Sequence, residues 1–207
     1  MYLYFLIPII LIALWVVWSL FRVNNLESPQ YIVLNLHRGY QIRKYQPYIV
    51  AQTTVSKNGS SSRRAFRELA GYIFGGNTSQ KNISMTVPVT TEPSSQNIAM
   101  TAPVATEERG EYLTMSFMMP SGFTLENLPV PHSKKISFSE VDESTFAVLS
   151  FSGWATDKRR IQKTKELQQL LIQDGIDFES SAQLLQYDQP LVFPLFRTNE
   201  IKIKIVS

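Results

Sequence analysis

Cysteine is absent from this chain of 207 residues, and histidine occurs only twice, as His37 and His132. The first absence excludes disulfides, thiolate nucleophiles and cysteine metal sites together, and it leaves the redox compartment open. The second leaves no cluster of three ligands for a catalytic zinc. No Gly-x-Ser-x-Gly elbow is present, so a Ser–His–acid hydrolase mechanism has no carrier. Gly75-Gly76-Asn77 ends a helical pattern instead of opening one, which excludes a phosphate loop. Charge of one sign is scarce as well. Twenty Lys and Arg against 17 Asp and Glu leave a net charge of +3, too little for a nucleic-acid binder. With no catalytic set in view, the chain reads as a binding protein and not as an enzyme.

The one long hydrophobic run is N-terminal. Residues 2–21 carry no charge and are rich in Ile, Leu, Val and Trp. Twenty residues at 1.5 Å each reach roughly 30 Å, the thickness of a bilayer's hydrocarbon core. No basic residue precedes the run, and Ser19-Leu20-Phe21 offers no small-x-small cleavage site. The expectation is therefore a retained single-pass transmembrane anchor over residues 1–22, with the membrane as a partner through residues 2–21. Arg22 flanks the run, against the α-amine alone on the other side, and points the following domain toward the cytoplasmic side. A short polar linker covers 23–30. Residues 31–207 make one domain, long enough to bury a sizeable core.

Within that domain, β-branched and aromatic runs predict strands at 31–36, 40–45 and 48–55, punctuated by Gly39 and Pro47. Residues 61–74 read as a helix with serines at its start and Gly75-Gly76 as its stop. Phe66, Leu69, Ala70 and Ile73 form its apolar side, with Arg63, Arg64 and Arg67 on or near the other. Strands follow at 111–119, 136–141 and 146–151, then a helix at 157–173 and strands at 182–187 and 200–206. Ile161, Thr164, Leu167, Leu170 and Leu171 mark the buried side of that second helix. Each half of the domain thus holds one helix flanked by sheet, a pseudo-repeat of an α+β unit with two helices packed on a curved antiparallel sheet or barrel.

The most diagnostic stretch is a doubled motif. Residues 81–89, Lys-Asn-Ile-Ser-Met-Thr-Val-Pro-Val, return at 96–104 as Gln-Asn-Ile-Ala-Met-Thr-Ala-Pro-Val. As strands, both copies would send Ile, Met and the final Val to one apolar face, with the proline on the opposite parity. Met85 and Met100 then join Met115, Met118 and Met119, beside Phe117 and Phe123. Such soft, adaptable side chains suit a core and equally a site for a flat apolar ligand.

These motifs resemble the SOUL haem-binding family. The match is carried by Gly39-Tyr-Gln-Ile-Arg-Lys-Tyr45, by Phe66 through Asn77, and by the doubled Met-Thr-x-Pro-Val. It continues through Phe117-Met-Met-Pro120, Leu128-Pro-Val-Pro131, Phe151-Ser-Gly-Trp154 and Arg197-Thr-Asn-Glu-Ile201. The resemblance implies a twisted antiparallel β-barrel with two flanking helices, and non-covalent binding of haem or another tetrapyrrole near the first of them. In this chain that region holds Arg64, Arg67, Gly71 and Tyr72, with Phe193 on a late loop facing them. The arginines would meet the propionates, and His37 is the candidate axial ligand and hence the metal-binding residue.

The function expected from sequence is thus a membrane-anchored haem or tetrapyrrole carrier, buffer or sensor. Two other classes stay open. One is a hydrolase or ligand-sensing module for a different hydrophobic small molecule, with Glu68 as the carboxylate to check. The other is a membrane-tethered protein-interaction module without haem.

Overall fold

Residues 3–20, 26–80 and 94–206 are described by the computed structural model. Three helices are α1 (Leu3–Leu20), α2 (Ser61–Ile73) and α3 (Asp157–Gln173). The first half of the domain supplies β1 (Tyr31–Leu36), β2 (Gln41–Tyr45), β3 (Tyr48–Ser56), β4 (Asn77–Thr78), β5 (Val104–Arg109) and β6 (Tyr112–Met118). The second supplies β7 (Val130–Pro131), β8 (Ile136–Val141), β9 (Ser144–Ser152), β10 (Phe178–Gln186) and β11 (Thr198–Ile205). Nine strands form one antiparallel sheet in the order β1-β2-β9-β11-β10-β5-β6-β3-β8, while β4 and β7 pair separately.

That order shows how the pseudo-repeat is assembled. The units β2-β3-α2-β5-β6 and β8-β9-α3-β10-β11 repeat the same pairings, β3 with β6 and β9 with β11. Each unit lends its first strand to the other, so β2 lies beside β9 and β8 beside β3. The central β5–β10 pair joins the halves. Among the described residues β1 and β8 remain edges, so the expected curved antiparallel sheet under two helices is present and takes the form of a curled half-barrel. The six side chains of β1 are all exposed, as befits a strand beyond the helix-covered part of the sheet.

Alternation along the strands sorts side chains to two faces. On one face α2 packs over Ala51, Leu113, Met115 and Phe117, and α3 over Ala147, Leu149, Ile201 and Ile203. The other face gathers Tyr45, Phe146 and Val148. Asn58 Oδ1 accepts from Ser60 N at 3.0 Å and turns the chain into α2. Past its end, Gly76 N donates to Gly71 O at 2.8 Å, so close that a Cβ on Gly76 would lie 2.7 Å from that oxygen. Thr156 Oγ1 caps α3 by accepting from Arg159 N at 3.3 Å.

Four expectations need correction. The buried side of α2 is Ala65, Leu69, Tyr72 and Ile73, whereas Phe66 stands out from the core with its ring edge against Phe117. On α3 only Leu167 and Leu171 are fully buried, and Ile161 is exposed. The second copy of the doubled motif does not form a strand until Val104. Ile98 is instead held by its N–H on Ile73 O (2.8 Å) and buried under the end of α2. The first copy, with Met85, lies outside the described residues. Met100, Met115 and Met119 belong to the core beneath α2.

The fourth correction concerns the N-terminus. Among the described residues no helix is long and apolar enough to cross a membrane, which overturns the single-pass anchor and the membrane localisation expected of residues 1–22. The described part of α1 counts 18 residues, about 27 Å at 1.5 Å per residue. Its C-terminal end also docks on the domain. Trp15 Nε1 donates to Leu191 O at 2.7 Å, Phe193 N donates to Ser19 Oγ at 3.1 Å, and the Trp15 and Phe193 rings meet edge-on at 5.0 Å. Glu27 continues the attachment, its carbonyl accepting from Ala102 N at 2.9 Å and its carboxylate from Ser121 N at 2.9 Å.

Candidate functional site

Helical spacing brings part of the expected site together. Arg64, Arg67 and Gly71 follow one another at i, i+3 and i+7, which aligns them along one stripe of α2, and Phe74 is the residue that caps its C-terminal end. All four are exposed, Phe74 to 62%. Arg64 is steadied by donating to Ser56 O at 2.9 Å. At Gly71 a Cβ would meet nothing within 4 Å, so the middle of the stripe is bare helix backbone open to solvent. Two guanidinium groups, a flat strip and an exposed aromatic ring thus share one surface.

Tyr72 lies on the opposite side of the same helix. It is fully buried, its ring packs on Phe138, and its hydroxyl donates to Pro129 O at 3.0 Å. Burial raises its pKa well above the usual tyrosine value. It is a core residue that ties α2 to the loop before β7. Replacing it by Phe is expected to cost about 1–2 kcal/mol in urea denaturation, because a buried carbonyl loses its donor. The same variant should leave surface binding on α2 unchanged.

His37 is placed at the far end of α3. Its ring stacks on Tyr40 at 4.5 Å, and its Nδ1 lies 2.9 Å from Asp174 Oδ2, which also accepts from the Tyr40 hydroxyl at 2.5 Å. Nε2 is buried with no hydrogen-bond partner. Neither ring nitrogen is therefore presented to the α2 stripe. Phe193 is half-buried against Trp15 of α1 and Phe196, so its ring is engaged by the N-terminal helix. Glu68 accepts from Ser133 Oγ at 2.9 Å and pairs with Lys135 at 3.4 Å on the outer side of α2. His132 Nε2 meets Thr78 Oγ1 at 3.1 Å. Among the described residues no group of three or more His, Cys, Asp or Glu side chains could hold a metal ion.

The helix-free face of the sheet holds charges that the sequence reading passed over. Tyr45 of β2, Phe146 of β9 and Lys202 of β11 line the same cavity as Ser139 and Val141 of the edge strand β8, which shows how far the sheet curls. In this trough Arg43 and Glu200 form a buried ion pair at 3.0 Å. Glu200 also accepts from Ser150 Oγ at 3.0 Å and from the Tyr187 hydroxyl at 2.6 Å. Lys202 is 3% exposed; its Nζ donates to the Tyr48 hydroxyl at 3.2 Å and stands 4.3 Å from the Phe146 ring centre. Burial lowers its pKa to about 8, against the opposing pull of Glu200 and Glu107. A larger cleft of about 650 Å³ adjoins the trough and shares Pro29, Tyr48 and Met118 with it. The signal for this face was the Arg43, Tyr45 parity in one strand and the Glu200, Lys202 parity in another.

Comparison with known proteins agrees with the motif reading. The family model described as SOUL heme-binding protein matches residues 26–204. Heme-binding protein 2 of Homo sapiens is 28% identical over 167 residues, covering 78% of this chain and 76% of the relative, and the Mus musculus protein of that name gives the same figures. Among solved structures, a hydrolase from Listeria innocua superposes with a TM-score of 0.56 at 9% identity, over 84% of this chain and 94% of that one. The EcmrR C-terminal domain gives 0.56 at 13% identity, over 81% and 97%. At such identities these structures share the fold, and a shared fold does not transfer a site.

Proposed function

Because the chain belongs to the SOUL heme-binding protein family, we propose that it binds haem or a related tetrapyrrole non-covalently on the exposed stripe of α2. One observation carries the placement: two arginines and a bare glycine lie in line on one helix face, with an exposed phenylalanine at the helix end. Arg64 and Arg67 offer charge-assisted hydrogen bonds to the propionates. Gly71 leaves room for a planar macrocycle to approach the helix, and Phe74 supplies an aromatic surface beside it. Bound haem would bring iron chemistry to that surface; the protein's own part is to hold and orient the ring. His37 has no role in this reading, since its Nδ1 faces Asp174 and its Nε2 is buried. The relatives named Heme-binding protein 2 support the same ligand class.

Haem titration of the full chain, followed by its Soret absorbance, tests this directly. A saturable shift is expected, with the Arg64→Ala/Arg67→Ala variant weakened about tenfold or more. Gly71→Leu should block binding by occupying the strip, while His37→Ala should leave the spectrum as it is. Equal affinity in the arginine variant, or a spectrum changed only by His37→Ala, would remove the haem from α2.

A further inference from the structure

On the opposite face of the sheet the charges do not balance. Arg43 is matched by Glu200 at 3.0 Å, and Glu107 accepts from Gln183 at 3.0 Å and pairs with Arg109. Lys202 has no carboxylate in salt-bridge contact among the described residues. One of its three donors is used, on Tyr48, and the rings of Phe146 and Tyr45 surround it at 4.3 and 4.9 Å. A buried ammonium with idle donors is costly unless a counter-charge arrives. Beside it lies a cavity of about 120 Å³ whose walls include Val50, Ala105, Met118 and Leu185.

We propose that this trough is a second binding site, independent of α2, for a small apolar monocarboxylate whose carboxylate pairs with Lys202. The volume sets an upper limit on size: at about 120 Å³ it is somewhat below the roughly 150 Å³ of a cavity that holds one benzene ring, so the enclosed part of a ligand is at most a single small ring. The walls are mixed: Val50, Ala105, Met118, Phe146 and Leu185 offer apolar contact to an aliphatic or aromatic body, while Gln52, Ser116, Ser139 and Gln183 add hydrogen-bonding groups around it. The neighbouring cleft fixes the charge. It is lined by Glu27, Glu126 and Glu140 and by no Lys or Arg, so a second carboxylate extending into it would be repelled. Lys202 sits on β11, flanked by Ile201 and Ile203 buried under α3, so its position is set by the core and not by a loop. A site built on a central strand is preorganised in this way.

Benzoate is the probe, with benzyl alcohol as its neutral counterpart of similar size, measured by equilibrium dialysis against the full chain. Saturable one-to-one binding of benzoate is expected at pH 7, with benzyl alcohol at least about tenfold weaker for want of the ion pair. Lys202→Met should abolish the preference for the acid. Ser116→Leu keeps the lysine but fills the cavity from β6, and it should abolish binding of both probes. The Arg64→Ala/Arg67→Ala variant should bind benzoate normally, which separates this site from the haem reading. The proposal is overturned by absence of saturable benzoate binding, by equal affinity for benzyl alcohol, or by undiminished binding in Ser116→Leu. Should Lys202→Met fail to fold, the wild-type comparison of the two probes and the Ser116→Leu result still decide.

Discussion

Glu200→Ala is expected to destabilise the protein by about 3–5 kcal/mol, the range for removing one partner of a buried ion pair. The carboxylate serves four groups at once, accepting from Arg43, Ser150 and Tyr187 and offsetting the charge of Lys202. Its loss leaves the Arg43 guanidinium, with 6% of its side chain exposed, hydrogen-bonded among the described residues to the neutral Gln41 and Tyr45 and stacked on the Tyr31 ring. Two cations, Arg43 and Lys202, would then share one trough, with Glu107, already paired to Arg109, as the carboxylate still acting on Lys202. The cost is the unpaired charge and not the lost contact, so a double variant tells the two apart. Arg43→Met together with Glu200→Leu should recover most of the stability, since well-packed apolar residues often replace a buried pair without loss. Urea denaturation midpoints of the single and double variants check this. A drop below about 1 kcal/mol in Glu200→Ala would mean that water reaches the pair and the trough is not dry.

The sequence made this network hard to see for a physical reason. Glu200, Lys202 and Lys204 alternate with Ile201, Ile203 and Ile205, the pattern of a strand with one solvated face. The strand was legible; the burial of its polar face was not, because that depends on β2 and β8 curling around it from distant parts of the chain. α2 shows the same division. Its limits and its exposed arginines follow from 3.6-residue spacing, yet Phe66 and Tyr72 exchange the roles that size and polarity suggest. Tyr72 can go inside because Pro129 O, 57 residues away, receives its hydroxyl. Asn77 explains why the Gly-Gly-Asn motif is informative. Its amide donates to Tyr72 O at 2.7 Å and to Gln96 O at 2.8 Å, which staples the end of α2 to the doubled motif. His37 seemed to belong with α2 because it precedes that helix in the chain, whereas its partner is Asp174 at the other end of the sequence. Local periodicity gave the elements and the arginine stripe, and only long-range pairing could give the trough.

Stability should rise with pH between about 8 and 10, against the usual expectation for a protein with many surface ion pairs. Lys202 loses its proton near pH 8 in the native state and near 10.5 once unfolded, so between these values the unfolded chain binds more protons. Stability therefore increases with pH across that interval, and the penalty for burying the ammonium is fully present below pH 8. The interval corresponds to about 3 kcal/mol, at about 1.4 kcal/mol per pH unit. The tyrosines work the other way. Burial pushes Tyr48 up to about 12 and raises Tyr45, Tyr72 and Tyr187 still further, so above pH 10 they ionise only on unfolding and stability falls. A maximum near pH 10 follows, readable as the urea midpoint measured from pH 7 upward. Lys202→Met should abolish the rise and be at least as stable as the parent at pH 7, because it removes a buried charge and keeps an unbranched side chain of similar reach. Saturating benzoate should flatten the same rise by supplying the counter-charge that Lys202 lacks, raising its native pKa toward the unfolded value. A parent midpoint that stays level from pH 8 to 10 would show that Lys202 is solvated in the native state, and the trough would then have no uncompensated charge to offer a ligand.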